Sequence, residues 1–424
     1  MVGHMLSNIL PKSNFSKNVI TLMTGTTIAQ AIPVAITPVL TRLYTPEDFG
    51  VLALFVAISS IFSSIACGRY ELAIMLPEGD EDAINIAALG MLIAVVLSIF
   101  LWVPIFLFNR EMSSLLGNKE IGAWLYLIPF VVLITGFYNV LNYLNTRKKL
   151  YKDIAKASIY KSIGMASVQL GIGFVKTGAA GLIGGQVAAQ FIANYRLARN
   201  ANKHYAFRII TKAEIIRLAK RYRDFPKFSM WAVLANSLAN NLTSILISIY
   251  YGVSILGFHS FALKMLGVPA SLIGTSIGQV FFQQATVEKK ETGKAIKTFS
   301  STSKKLIVIS LLFFMPLFFA IPTIFEILFG ESWKIAGEYG QILLPFVAIQ
   351  FVVSALSHTN NIFERQKIAL AWQVGLLVLS IGMLVSSKTL DLDFIVFLKV
   401  YTLIISLYYI ALYFILMQVS RGRL

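Results

Sequence analysis

The chain of 424 residues carries one cysteine, Cys67, so it can close no internal disulfide and build no multi-cysteine metal site, and no redox compartment can be read from it. Histidine is nearly as scarce. His4 falls in the opening MVGHM, which reads as a tag remnant, and His204, His259 and His358 are scattered without a neighbour that would suggest a metal pair. No HExxH or P-loop motif occurs, which removes the common zinc-hydrolase and nucleotide-driven chemistries. An ATP-driven permease would need a separate nucleotide-binding subunit. Charge is sparse too, at 13% of residues, against about 25% in ordinary soluble chains. Too few polar side chains remain to cover a water-facing surface.

Apolar residues make up 57% of the chain, its mean hydropathy is +0.73, and many apolar runs are long enough for the ~20 residues that span a bilayer. Such runs fall at about 19–41, 50–76, 83–108, 122–144, 154–175, 179–196, 228–250, 255–283, 306–329, 339–361, 368–387 and 394–417. The expected fold is therefore an all-α integral membrane protein of twelve transmembrane helices. The positive-inside rule orients it. With a cytoplasmic N-terminus, 26 Lys and Arg lie in inside segments and six in outside ones, which places both termini in the cytoplasm. The formal charge of +17 is thus mostly topological, aided by attraction to anionic membrane lipids, and no nucleic-acid partner is expected. One inside loop, PEGDED at 77–82, is acidic and runs against the trend.

The division expected from these runs is a tail over 1–18, a six-helix bundle over 19–196, a basic cytoplasmic linker over 197–227, a second bundle over 228–417 and a tail over 418–424. In the linker, Thr211 and Glu214 have capping-box spacing, ahead of an amphipathic helix with Ile215, Leu218, Ala219 and Tyr222 on one face. That helix is expected on the cytoplasmic membrane surface; the alternative is a solvated linker. The two bundles read as a repeat. IPFVVLITGFYNVLNYLN (128–145) aligns with LPFVAIQFVVSALSHTNN (344–361), Gly117 with Gly330, and Gly50 with Gly257, at offsets drifting from 216 to 207. Six helices per copy make the repeat parallel, with a pseudo-two-fold along the membrane normal and substrate expected where the halves meet.

A cation at a helix centre costs roughly 2.5–3.5 kcal/mol on insertion scales, so intramembrane charges point to partners or wet cavities. Lys264 stands about nine residues into its run, roughly 13 Å deep at ~1.5 Å per residue, without an acidic neighbour in that run. Ser271, Thr275 and Gln279 continue its face, and Pro269 would bend the helix beside it. Lys264 reads as cavity-lining, with snorkelling or inter-helix packing as the alternative. Arg69 has Glu71 beside it, and so reads either as a structural ion pair or as a ligand contact. Lys161 stays open between a ligand and a packing role, while Lys156 and Lys399 can snorkel. Asn236, Asn240 and Thr243 share a helix face, and Asn240 falls on Gln30 in the repeat. Such amides suit sugar hydroxyls and equally serve as interhelical glue, at ~0.6 kcal/mol each. Pro33 and Pro38 free backbone carbonyls and could mark a gating bend in the first helix.

ITPVLTRLYTPEDFGVLALF, GRYELAIMLP, ILGFHSFALKMLGVPASLIGTSIGQVFFQQA and LFGESW together resemble the polysaccharide transporter family, the Wzx-type oligosaccharide flippases of the multidrug/oligosaccharidyl-lipid/polysaccharide (MOP) superfamily. The resemblance covers nearly the whole chain but rests on packing and turn patterns, which identify the family and not the sugar. It implies a non-enzymatic flippase in the bacterial inner membrane, without a cofactor. The flippase would move undecaprenyl-diphosphate-linked oligosaccharide for O-antigen, capsule or exopolysaccharide assembly, by alternating access through a cationic central cavity. On this reading Lys264, Arg69 and Lys161 meet the diphosphate, and Asn240, Gln30 and Gln279, with Thr275 and Ser271, face the sugars. An H+ or Na+ coupling ion and a polysaccharide polymerase with chain-length machinery are the partners it leaves open. The alternatives are a cation-coupled multidrug exporter, weakened because 19–41 and 228–250 contain no Asp or Glu, and a polymerase or glycosyltransferase, weakened by short outer loops.

Overall fold

A computed structural model describes residues 14–175, 178–205 and 209–423, and the described residues form helices joined by turns, without a strand. In chain order the first helices are α1 (Asn14–Leu43), α2 (Pro46–Ser63), the single turn α3 (Tyr70–Ala73), α4 (Asp80–Leu115), α5 (Ile121–Leu125), α6 (Ile128–Arg147), α7 (Tyr151–Gly173), α8 (Ala180–His204) and α9 (Lys212–Arg221). After a wide turn at Phe225–Ser229 follow α10 (Met230–Tyr251), α11 (Val253–Thr292), α12 (Ile296–Phe329), α13 (Lys334–Leu356), the short α14 (His358–Ile362), α15 (Gln366–Thr389) and α16 (Phe394–Ser420). Among the described residues ten helices are long and apolar enough to cross a membrane. α7 and α8, on the runs expected at 154–175 and 179–196, are not among the ten. Their sequences hold Lys152, Asp153, Lys156 and Lys161 in α7 and Arg196, Arg199 and Lys203 in α8. They pack against each other, and α7 packs on α1. Where a helix faces lipid, the apolar side turns outward instead of inward: Val96, Ile99, Phe100, Val103 and Phe106 form an exposed stripe on α4.

The run expected as one helix over 50–76 is broken. α2 stops at Ser63, a series of tight turns follows, and Gly68 and Arg69 both adopt positive φ, at 58° and 67°, before the α3 turn. An apolar run alone cannot register this, because hydropathy is blind to a left-handed pair of residues. Gly117 and Gly330, aligned in the repeat, both follow a long helix with positive φ, 73° and 104°, but Gly330 is itself the cap of α12 with ψ of 161°, whereas Leu116 caps α4. The other aligned pair diverges: Pro129 opens α6, whereas Pro345 lies inside α13.

Contacts divide the chain into two compact units: residues up to Tyr44 with Phe55–Ser237, and Thr45–Leu54 with Leu238–Leu424. The boundary passes through α2 and α10. Segment 45–54 joins the second unit through two glycines. A Cβ on Gly50 would strike the Val253 carbonyl, and one on Gly257 would strike the Pro46 carbonyl. Positions 46 and 50 align with 253 and 257 at one offset, so the two contacts are reciprocal, as a local two-fold requires. Phe49 then reaches the second unit's core, edge-on to Trp333 at 5.0 Å and to Phe261 at 5.4 Å.

In the first unit the acidic loop meets its counter-charges. Asp80 pairs with Arg147 at 3.2 Å and with Lys148, and Asp82 pairs with Arg217 of α9 at 2.6 Å. Loop 77–82, the end of α6 and α9 therefore share one side of the unit. The Thr211 hydroxyl accepts from the Glu214 amide at 3.3 Å, the first half of the capping box. The Glu214 carboxylate, however, turns to Arg217 instead of back to the cap. α9 docks on α4, burying Leu218, and the Tyr70 hydroxyl donates to the Ala219 carbonyl at 2.9 Å. Nearby, burial and the Asp80 carboxylate push the Tyr205 phenol up to about 12, with Arg147 pulling the other way.

Candidate functional site

The polar face of α11 lies open. Lys264, Ser271, Thr275 and Gln279 are exposed, while Leu256, Phe261, Leu266 and Phe281 of the same helix are buried. Lys264 has no carboxylate at ion-pair distance among the described residues. The Ser271 hydroxyl donates to the Val268 carbonyl at 2.9 Å, and the Thr275 hydroxyl to the Ser271 carbonyl. Their protons are thus spent on their own helix and their oxygens remain as acceptors. Pro269 removes the amide that the Met265 carbonyl would receive, yet α11 runs on through it.

The second unit also holds a partly open cavity of about 310 Å³. Asn240, Thr243 and Ser244 of α10 line it, with His259 of α11, Gln350 of α13, Ser380 of α15 and Tyr401 and Tyr409 of α16. The Gln350 amide donates to the Tyr409 hydroxyl at 3.1 Å, and the Ser380 and Tyr401 hydroxyls lie 3.5 Å apart. His259 is 4% exposed, stands edge-on to Phe394 at 6.1 Å, and its Nδ1 has no hydrogen-bond partner. Asn240 and Thr243 were marked by their helical stripe. Gln350, Ser380 and the tyrosines come from three other helices, where isolated polar groups in apolar stretches are their only sequence signal.

In the first unit the candidate cations already have company. Arg69 caps α3 and pairs with the buried Glu71 at 3.0 Å. The Lys161 ammonium lies 4.8 Å from the centre of the Tyr138 ring. Gln30 is exposed on α1. Pro33 and Pro38 leave α1 unbroken from Asn14 to Leu43. The Ala29 carbonyl, deprived of its helical donor by Pro33, receives the Ser162 hydroxyl of α7 at 2.6 Å. Pro322 does the same in α12, where the freed Phe318 carbonyl receives the Gln341 amide at 2.8 Å.

Two units of long apolar helices, with a bare lysine on an open face, define a multi-pass membrane protein with the fold of MOP-superfamily transporters. The chain resembles the lipid II flippase MurJ in an inward closed conformation, at TM-score 0.67 and 11% identity over 96% of this chain and 90% of that one. It also resembles an inward-facing multidrug resistance MATE family transporter, at 0.56 and 15% over 95% and 94%. A MOP superfamily transporter from Pyrococcus furiosus, described as having a binding pocket of reverse polarity, matches at 0.56 and 16% over 96% and 95%. Residues 39–337 match the family model described as polysaccharide biosynthesis protein, and the chain belongs to that family. No curated protein matches it in sequence.

Proposed function

We propose that the protein is a Wzx-type flippase of the bacterial cytoplasmic membrane. It would move an undecaprenyl-diphosphate-linked oligosaccharide, a repeat unit of O-antigen, capsule or exopolysaccharide, from the inner to the outer leaflet by alternating access, making and breaking no covalent bond. Lys264 carries the reading. It stands eleven residues into α11, about 16 Å along the helix at ~1.5 Å per residue, and faces outward beside hydroxyl and amide groups without a counter-ion. An unpaired ammonium at that depth costs a few kcal/mol until an anion arrives, and a lipid diphosphate is such an anion. Arg69 and Lys161 are further cations for the phosphates, weaker candidates because Glu71 and Tyr138 already engage them. Gln279, Thr275, Ser271, Asn240 and Gln30 would hydrogen-bond sugar, and the proline-bearing helices, with Pro33, Pro38 and Pro269, would bend during the cycle. The polyprenyl tail stays in lipid.

The test is Lys264→Ala. Glycan export should vanish while membrane abundance and detergent Tm hold, because a lysine that pairs with nothing in the resting protein contributes little to its stability. Full export by the variant would refute the assignment.

A further inference from the structure

The cavity in the second unit differs in chemistry from the Lys264 face. Its polar groups, from Asn240, His259, Gln350, Ser380, Tyr401 and Tyr409, include no carboxylate, ammonium or guanidinium. A diphosphate would find no counter-charge there, and a metal ion no carboxylate. What the walls offer is a mixture of neutral donors and acceptors, since amides, hydroxyls and an imidazole each serve both ways. Beside them are the apolar faces of Phe346, Leu343 and Ile405. Such a pairing fits a molecule whose rim is hydroxyl and whose faces are C–H.

Size and accounting narrow the ligand further. At about 310 Å³ the cavity lies at the lower end of small-molecule sites, which run ~300–1,000 Å³, so it holds one ring and not a chain. Polar groups facing hydrocarbon must find partners. The Gln350–Tyr409 bond and the Ser380–Tyr401 contact meet part of that need inside the wall. The Nδ1 of His259 also lacks a partner, but that atom is wholly buried, so a ligand would meet the ring edge that lines the cavity.

We infer that this cavity binds one uncharged sugar ring of the lipid-linked glycan, distinct from the residues that take the diphosphate, with His259, Gln350 and Ser380 as the groups that select for it. The inference rests on the flippase reading. The cavity would then add selection for one ring to the sugar contacts proposed on the α11 face.

The experiment uses the full chain in lipid nanodiscs, with undecaprenyl diphosphate bare or carrying a single N-acetylhexosamine as probes. The wild type should bind the glycosylated lipid roughly tenfold more tightly, the worth of one or two hydrogen bonds. His259→Phe keeps the ring against Phe394 and removes its hydrogen bonding; Ser380→Leu fills the cavity without charge. Each should erase that preference and leave affinity for the bare lipid unchanged, with Tm reporting that the variant is folded. Lys264→Gln should weaken both lipids by the same factor. Folded His259→Phe and Ser380→Leu proteins that keep the tenfold preference would overturn the sugar site. Equal binding of both lipids by the wild type would also overturn it while leaving the flippase reading intact. Binding of neither lipid would remove both.

Discussion

At the scale of single residues, the buried polar groups of the first unit are held by specific partners, and their loss should be measurable. Glu71 is 3% exposed and its one strong partner is Arg69, which itself occupies the left-handed region. Glu71→Ala strands the guanidinium beside apolar neighbours. We expect a loss toward the lower end of the ~3–5 kcal/mol typical of half-broken buried pairs, because Arg69 keeps some solvent, read as a lowered Tm in a detergent melt. Ser162→Ala should cost about 1 kcal/mol, since the Ala29 carbonyl freed by Pro33 then has no donor. If Ser162→Ala melted as the wild type does, the carbonyl would have found water and the seryl bond would be incidental. The proline was visible in the sequence as a potential bend. Its answering hydroxyl, 133 residues away, was not, because nothing local links a serine to a distant carbonyl.

Among the helices, close approach is set by glycine. Gly50→Ala or Gly257→Ala must displace a backbone carbonyl and should destabilise by about 1–3 kcal/mol, the range for overpacking. Gly382, inside α15 with nothing within 4 Å of an added Cβ, should instead gain about 0.5–1 kcal/mol on replacement by alanine. Opposite signs in one thermal-shift series would separate tight crossings from idle glycines; equal signs would dismiss the crossing. The helices themselves were largely legible because a bilayer demands long apolar runs: ten helices are long and apolar enough to cross a membrane, against the twelve expected. What was not legible follows from the same cause. The run at 50–76 stays apolar straight through the turns at 64–69, so hydropathy could not show that Arg69 leaves the helix. The cavity was legible only in its α10 stripe, because its other polar residues are spread over four helices at one or two apiece, whereas the α11 face is a single stripe with a readable period.

For the molecule as a whole, sidedness is the property most open to measurement. Asp82 and Arg217 meet, as do Asp80 and Arg147, so the acidic loop and the basic linker lie together. A cysteine at Lys334 should react with an impermeant thiol reagent outside intact cells, and one at Lys220 only after permeabilisation. Cys67 is buried and should add little background. Reversed labelling would invert the cytoplasmic placement of both termini. The ten residues 45–54 carry a different consequence, for how such a chain can be taken apart. They are encoded in the first copy of the repeat but take their packing partners, Val253, Phe261 and Trp333, from the second. The arrangement is an isologous contact between equivalent segments of one polypeptide. A gene cut in the 197–227 linker should then yield two fragments that are each incomplete and recover export only when made together.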